Sequence, residues 1–239
     1  MIDKELLIRC AAAYDVEVTP PLAERLNIYA RLLVEWNEKM NLTAITDPTG
    51  IVVKHFTDSL LAAPLLPSEA FTLIDVGTGA GFPGVPLALL REDCTLTLLD
   101  SLNKRLVFLE AVCRELGLAA TLIHARAEEG GQRPDLRERF DVATARAVAA
   151  LPTLCEYCLP VVKVGGRFLA LKGPDAEREQ EAAARAVSLL GGEVAQKATF
   201  TLAAETVEPM ERQLIRIDKT RHTPPTYPRP SAKIAKRPL

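Results

Sequence analysis

The 239-residue chain has no long hydrophobic run, no secretion signal and no even set of cysteines. Its longest apolar stretches, such as residues 60–67, end at proline or charge well short of the roughly 18 residues that a membrane helix needs. The N-terminus carries Asp3, Lys4 and Glu5 where a signal peptide would have an unbroken apolar segment. We therefore expect a cytoplasmic protein that crosses no membrane.

Metal-binding patterns are also scarce. The five cysteines form an odd set, which in an intracellular chain predicts reduced side chains packed in the core. Cys155 and Cys158 form a C-x-x-C pair inside a predicted helix, yet no second pair and no nearby histidine completes a set of ligands. We expect neither a disulfide framework nor a metal site.

The chain does contain enough apolar residues for a large core. Hydrophobic residues make up 48% and charged residues 25%, which excludes global disorder. The formal net charge of −2 divides into −8 on residues 1–218 and +6 on residues 219–239. The terminal segment also holds five prolines, so we expect it to be extended and partly mobile. Such a basic terminus indicates either a polyanionic partner or a solubilising tail.

Hydrophobic spacing divides the chain into a helical cap (1–67), an α/β domain (68–218) and the basic tail (219–239). In the cap, Thr19 followed by two prolines predicts the start of a helix. Beyond it, short apolar runs alternate with amphipathic stretches, which predicts a doubly wound, mostly parallel sheet. Strands are predicted at 72–76, 95–99, 120–124, 140–144 and 167–171, and helices at 84–91, 104–116, 149–162 and 175–190. The runs 199–202 and 213–217 have no helix between them and are predicted to pair antiparallel at one edge.

The most informative segment is a glycine-rich loop that follows the first predicted strand and opens a helix. Its sequence is Asp75-Val76-Gly77-Thr78-Gly79-Ala80-Gly81-Phe82-Pro83-Gly84. Glycines at such a turn let the backbone approach a nucleotide-like ligand closely. Asp100 ends the second predicted strand, 23 residues after Gly77, where a carboxylate can accept hydrogen bonds from both ribose hydroxyls.

Two cofactors satisfy this pattern. Gly79, Gly81 and Gly84 match the dinucleotide sequence G-x-G-x-x-G, which is a weak indication by itself. Asp75 lies two residues before the first glycine, where a carboxylate would repel a pyrophosphate and attract an ammonium or sulfonium group. S-adenosylmethionine carries both cations, and its carboxylate can face the helix N-terminus near Pro83. The residues favour S-adenosylmethionine.

Several short motifs occur together along nearly the whole chain: Trp36-Asn37, Asn41-Leu42-Thr43, His55, Asp58-Ser59-Leu60, residues 75–86, Asp100-Ser101-Leu102, Lys104-Arg105, Ala127-Glu128, Ala145-Arg146-Ala147-Val148 and Leu171-Lys172-Gly173. In this combination they resemble the bacterial methyltransferases also called glucose-inhibited division protein B, which methylate N7 of a guanosine in 16S small-subunit ribosomal RNA. The resemblance implies a class I methyltransferase of Rossmann-like fold with a helical cap. It also implies S-adenosylmethionine as cofactor, S-adenosylhomocysteine as product, and ribosomal RNA or a ribosomal particle as partner, with no obligate protein partner evident.

The resemblance and the glycine loop together suggest the site residues. Cofactor contacts are expected at Asp75, Gly77, Gly79, Phe82, Asp100, Ser101, Leu102, Ala127, Glu128 and Arg146. RNA contacts are expected at Lys54, His55, Arg146, Lys172, Arg229, Lys236 and Arg237, of which Arg146 and Lys172 are candidates for positioning the substrate. No general base is expected, because guanine N7 offers a lone pair at neutral pH. The base must be unpaired, since the major groove of an RNA helix is deep and narrow.

One segment near the C-terminus departs from the family, and two other functions stay open. Relatives commonly have a Pro-Gly-x-Pro turn there. In this chain Ala232 replaces the glycine, so a turn with positive φ would be strained. The alternative functions are an NAD-dependent oxidoreductase and a non-enzymatic, RNA-binding factor for ribosome assembly.

Overall fold

The computed structural model describes residues 1–239, apart from the side chain of residue 176. Its helices are α1 (Lys4–Ala12), α2 (Pro20–Met40), α3 (Pro48–Gly50), α4 (Asp58–Leu60), α5 (Gly84–Leu90), α6 (Asn103–Leu116), α7 (Ala127–Gly130), α8 (Leu151–Cys158), α9 (Ala176–Leu189) and α10 (Ser231–Lys236). A π-helix (Ile51–Thr57) joins α3 to α4, and a 3₁₀ turn (Ala63–Leu65) follows. Its strands are β1 (Phe71–Val76), β2 (Cys94–Asp100), β3 (Ala120–His124), β4 (Phe140–Arg146), β5 (Val162–Lys172), β6 (Gly192–Ala204) and β7 (Val207–Lys219). In the part of the chain that the structure describes, no helix is long and apolar enough to cross a membrane.

The cap helices begin where the sequence supplies capping side chains. Asp3 Oδ1 accepts a hydrogen bond from Leu6 N at 3.0 Å at the start of α1. Thr19 Oγ1 accepts one from Leu22 N at 3.4 Å at the start of α2. Pro20, the first residue of α2, has no backbone N–H and therefore leaves no donor unpaired. The predicted start of the second helix is confirmed.

The cap and the sheet share one hydrophobic core. The ring of Tyr29 in α2 stacks on Phe82 with centroids 5.2 Å apart, and its hydroxyl donates a hydrogen bond to the Ala80 carbonyl of the glycine loop. Trp36 packs against Phe108 of α6 at a centroid distance of 5.8 Å, as its helical spacing predicts. These contacts place the cap directly beside the glycine loop.

A single seven-stranded sheet forms the centre of the molecule, in the order β3-β2-β1-β4-β5-β7-β6. The first five strands are parallel, and β7 pairs antiparallel with both β5 and β6. The predicted doubly wound, mostly parallel sheet and its antiparallel edge pair are therefore confirmed. The two strands of this antiparallel pair, β6 and β7, are each 13 residues long, so they extend well beyond the short apolar runs that predicted them.

Two local predictions are wrong. The helix expected over 149–162 ends at Cys158, and Val162 already begins β5, pairing with Phe140 of β4. The apolar run there does not distinguish a buried strand from a buried helix. The tail is not extended throughout, since residues 231–236 form α10 and bury Ile234 to 1% exposure. Ala232 lies in this helix, so the turn with positive φ does not form.

Candidate active site

The carboxyl ends of the parallel strands meet at one edge of the sheet, where the strand order reverses between β1 and β4. A crevice forms at such a switch point, and ligands of open α/β sheets bind there. The glycine loop follows β1, Arg146 ends β4, and Ala147 and Val148 come directly after it. Val148 lies directly over Gly77, because a Cβ built on this glycine would approach Val148 Cγ2 to 2.7 Å. The crevice therefore has backbone of the loop on one side and the end of β4 on the other.

Glycines in the loop serve different purposes. Gly79 has φ +61°, and the nearest atom to a Cβ built there is the Gly77 carbonyl oxygen at 4.0 Å, so its outer face is open to a ligand. Gly81 has φ +98° and faces the core, where a Cβ would lie 2.4 Å from the Tyr29 hydroxyl. Only the first of these positions gives a ligand close access to the backbone.

The Asp75 side chain is buried and forms hydrogen bonds within the protein. Its side chain has no exposed surface, and it accepts hydrogen bonds from Thr78 Oγ1 at 2.7 Å, Gly84 N at 3.0 Å and Thr144 Oγ1 at 2.9 Å. Burial raises the pKa of Asp75, and these hydrogen bonds oppose that shift. The buried carboxylate thus shapes the loop, and its attraction for a cationic cofactor group stays a prediction.

Asp100 connects the loop to the end of β2. Its Oδ2 accepts a hydrogen bond from Gly79 N at 2.9 Å and its Oδ1 one from Leu102 N at 2.8 Å, while Arg105 Nη1 lies 3.3 Å from Oδ2. Oδ2 already accepts two hydrogen bonds, whereas Oδ1 has a second lone pair that can accept one from a ligand. Ser101 and Leu102 beside it are exposed, Leu102 to 43%. An exposed leucine next to a buried carboxylate fits a ligand with both a sugar and an apolar ring.

The pair Ala127 and Glu128 lies on α7, a short helix that the sequence pattern does not predict because it is barely one turn long. Glu128 is 8% exposed and Ala127 is half-buried. The Ala125 amide donates to the Asp100 carbonyl at 3.2 Å, which brings the start of α7 to the end of β2. The structure therefore brings the expected contacts on β2 and α7 together.

An aromatic stack joins the cap to this edge of the sheet. The Phe82 ring lies between Tyr29 and His55, with centroid distances of 5.2 and 4.5 Å, and Arg146 Cζ lies 5.1 Å from its centroid. Phe82 is 5% exposed, so its ring packs in the core, and its contact with the cofactor stays a prediction. Burial, with a smaller effect of Arg146, lowers the pKa of His55 from 6.5 to about 3. His55 is therefore neutral at physiological pH, and a contact of its uncharged ring with RNA stays a prediction.

Beside the stack lies a cavity of about 360 Å³, lined by Ile45, Lys54, His55, Asp58, Arg146, Ala147, Leu171, Lys172, Gly173 and Arg212. Arg146 Nη1 donates to Asp58 Oδ2 at 2.8 Å and to the Lys54 carbonyl at 3.1 Å. Arg212 Nε donates to Asp58 Oδ1 at 3.1 Å. One buried carboxylate from the cap thus holds two arginines from different strands, and the trio keeps a positive charge at the cavity wall.

Asp58 and Arg212 were not among the predicted site residues. Asp58 belongs to a short motif that supported the family resemblance, which is the only sequence signal for it. Arg212 has no such signal, since its role depends on β7 lying next to β5 in the folded chain.

Lys172 lies at the end of β5 and lines the cavity, as its strand-end position predicts. Its ammonium group lies 2.7 Å from Glu179 Oε2 and donates to the Ala149 carbonyl at 2.9 Å. Glu179 in turn accepts from Leu151 N at 2.7 Å. This lysine is therefore held against the loop after β4, which it helps to position.

The cations of the tail are not equivalent. Lys236 and Arg237 are exposed at the end of α10. Arg229 instead forms a two-pronged pair with Glu156, at 2.8 Å from Nε to Oε1 and 2.7 Å from Nη2 to Oε2, and Glu156 has no exposed surface. The expectation that Arg229 is free to contact RNA is not supported by this geometry.

Comparison with known proteins identifies the family. The sequence profile of the GidB family, rRNA small subunit methyltransferase G, matches residues 22–208. The chain belongs to this family. Ribosomal RNA small subunit methyltransferase G of Acetivibrio thermocellus is 46% identical over 99% of this chain and 96% of its own length. The protein of the same name from Lactobacillus delbrueckii subsp. bulgaricus is 45% identical over the full length of both chains.

Solved structures agree with the fold expected of the family. The YcgJ protein of Bacillus subtilis superimposes with a TM-score of 0.53 at 15% identity, over 70% of this chain and 100% of that chain. The fold is that of the class I S-adenosylmethionine-dependent methyltransferases, and the protein is an enzyme of the methyltransferase class. Neither the oxidoreductase nor the non-enzymatic alternative finds support in these comparisons.

Membership of this family implies S-adenosylmethionine as cofactor, and the residues at the crevice fit it. The open backbone face at Gly79 suits the amino-acid part of the molecule. The Asp100 carboxylate suits the ribose, and the exposed Leu102 beside α7 suits an adenine ring.

Proposed function

We propose that the protein transfers a methyl group from S-adenosylmethionine to N7 of a guanosine in 16S small-subunit ribosomal RNA, with S-adenosylhomocysteine as the other product. One observation carries the proposal. The open face of the glycine loop and the cationic cavity of about 360 Å³ lie on either side of the loop after β4, with Arg146 and Ala147 in the cavity wall and Val148 over Gly77. A donor site and an acceptor site thus adjoin.

Methyl transfer to guanine N7 requires little from the protein beyond alignment of the two reacting atoms. S-adenosylmethionine supplies a methyl group activated by its sulfonium. Guanine N7 attacks with its lone pair, so no side chain has to remove a proton. The protein has to hold guanine N7 and the methyl carbon close together and in line, and to exclude water. The partly buried pairs of Arg146 with Asp58 and Lys172 with Glu179 suit this task, because they fix the cavity wall.

We propose that the RNA approaches from the side of the cavity. Lys54, Arg146, Lys172 and Arg212 line it, opposed there by Asp58, which favours the phosphates around an unstacked base. Lys236 and Arg237 of α10 are further candidates for phosphate contacts. We propose ribosomal RNA or a ribosomal particle as the partner, in the cytoplasm, with no obligate protein partner.

The test is methyl transfer from labelled S-adenosylmethionine to undermethylated small-subunit RNA and to small-subunit particles. Reduction and aniline cleavage then map the product, because they cut RNA at 7-methylguanosine. We expect a single cleavage site in at least one of the two substrates. Binding of the cofactor without transfer to either substrate would overturn the proposal.

A pair of variants in β7 links the transfer to the cavity. Arg212→Gln removes a cation held by Asp58 at the cavity wall, so transfer should fall by at least about tenfold. Arg216→Gln is the matched control, since Arg216 pairs with Asp218 on the same strand and does not line the cavity. Equal activity of the two variants would remove Arg212 from the proposed RNA site.

A further inference from the structure

The C-terminal strap, residues 223–239, is tied to the body of the protein next to α7. Arg137 donates from Nη2 to the Thr223 carbonyl at 2.8 Å and from Nη1 to the Tyr227 carbonyl at 2.7 Å. Gln132 Nε2 donates to the Pro228 carbonyl at 2.8 Å. Gly131, immediately after α7, lies so close that a Cβ built on it would be 2.7 Å from Pro228 Cγ. The strap and the end of α7 therefore form a close contact.

The strongest attachment of the strap is the pair of Arg229 with Glu156 of α8. The guanidinium meets both carboxylate oxygens, and Arg229 N donates to Oε1 at 2.8 Å as well. Glu156 has no exposed surface in the folded protein. An unpaired buried carboxylate is strongly destabilising, which commits Arg229 to this position. The fork geometry is specific to arginine.

The strap joins α7 to α8, and both helices lie close in the chain to expected cofactor contacts. Ala127 and Glu128 lie on α7, and α8 begins five residues after Arg146. A cavity of about 560 Å³ lies between α7 and the strap, with Glu128 and Glu129 on one side and Pro228 and Arg229 on the other. The strap therefore covers α7 on its outer side.

We propose that Arg229 is a positioning residue for the cofactor: through Glu156 it holds the strap on α8, and the strap holds α7 and Glu128 at the crevice. This inference rests on the proposed cofactor site. It gives Arg229 a role different from that of the exposed cations of α10, although all belong to the same basic segment.

The experiment compares the wild type with Arg229→Gln by calorimetric titration with S-adenosylhomocysteine and by steady-state kinetics. We expect affinity for S-adenosylhomocysteine to fall about tenfold and the KM for S-adenosylmethionine to rise by a similar factor, with kcat and the KM for RNA unchanged. Arg229→Lys should lie between the two, since lysine keeps the charge without the fork. Arg216→Gln, which also breaks an arginine–carboxylate pair, should leave the affinity unchanged.

Unchanged affinity in Arg229→Gln with a raised KM for RNA would overturn the proposal and make Arg229 an RNA contact. If that variant fails to fold, unchanged affinity in Arg229→Lys would overturn it instead. A wild type that does not bind S-adenosylhomocysteine would contradict the proposed function. In that case, hydrogen exchange at the amides of residues 127–130 still tests the strap. Exchange should be faster in Arg229→Lys than in the wild type, and equal rates would overturn the proposal.

Discussion

The imidazole of His55 lies parallel to the ring of Phe82, with centroids 4.5 Å apart and an angle of 5° between the planes. Arg146 Nη2, which can only donate, lies 3.3 Å from His55 Nδ1, so Nδ1 is the acceptor and Nε2 donates to Thr43 Oγ1 at 2.9 Å. A neutral histidine therefore links the cap to the end of β4.

The buried His55 predicts a specific pH dependence of stability. Its pKa is about 3 in the folded protein and about 6.5 in the unfolded chain, so only the unfolded chain takes up this proton between those values. His55 should lower the unfolding free energy by up to about 1.4 kcal/mol per pH unit as the pH falls from about 6.5 to about 3. Denaturant unfolding of the wild type and His55→Gln measures this slope.

The variant should show a shallower slope across this window and no difference in slope above pH 7. His124→Gln, at an exposed histidine, is the control and should keep the wild-type slope. Identical slopes in all three proteins would exclude His55 as the cause.

Gly79 and Gly117 form a matched pair for testing the open face of the loop. Both have left-handed φ, +61° and +59°, and a built Cβ meets nothing closer than 4.0 Å at the first and nothing within 4 Å at the second. Alanine at either position should cost about 1 kcal/mol of stability from backbone strain. Only Gly79→Ala should weaken binding of S-adenosylhomocysteine, measured by calorimetry. Equal affinity in both variants would show that no ligand approaches Gly79.

Replacing Asp100 with asparagine should weaken cofactor binding. The amide keeps the shape of the side chain but loses charged acceptors for Gly79 N and for ribose hydroxyls. Hydrogen bonds to a charged group contribute about 1.5–3 kcal/mol, so calorimetry should report a roughly 10- to 100-fold loss of affinity. Asp93→Asn, at an exposed carboxylate before β2, is the control. Wild-type affinity in Asp100→Asn would contradict the ribose role.

The exposed cations of α10 should affect RNA binding and not the cofactor. Lys233, Lys236 and Arg237 are all exposed. If all three contact phosphates, changing them to glutamine should flatten the slope of log affinity against log salt by about 2, at roughly 0.7 per phosphate for single strands. Filter binding at several salt concentrations measures this slope. An unchanged slope would exclude α10 from the RNA interface.

The α10 substitutions and Arg229→Gln are more informative than removal of the whole tail. Removing residues 219–239 as a unit would leave Glu156 buried without Arg229 and Glu138 without Lys219. Loss of activity in such a truncation would not separate RNA contacts from cofactor positioning, whereas the α10 variant and Arg229→Gln do.

The sequence by itself determined the order of the strands and of the main helices between them, and the place of the expected cofactor crevice. Both depend on local patterns: alternating apolar runs, capping side chains such as Thr19, and the glycines Gly77 and Gly79, which adopt positive φ values that other residues avoid. A strand-end carboxylate 23 residues after Gly77 added a second local signal at Asp100.

Only the tertiary structure decided which charged side chains are free. Arg146 and Asp58 are 88 residues apart in the chain, Arg212 and Asp58 are 154 apart, and Arg229 and Glu156 are 73 apart. Burial and pairing over such distances depend on which elements pack together, and no local pattern encodes this. For the same reason His55 looks like a surface cation in the sequence and is a neutral core residue in the fold.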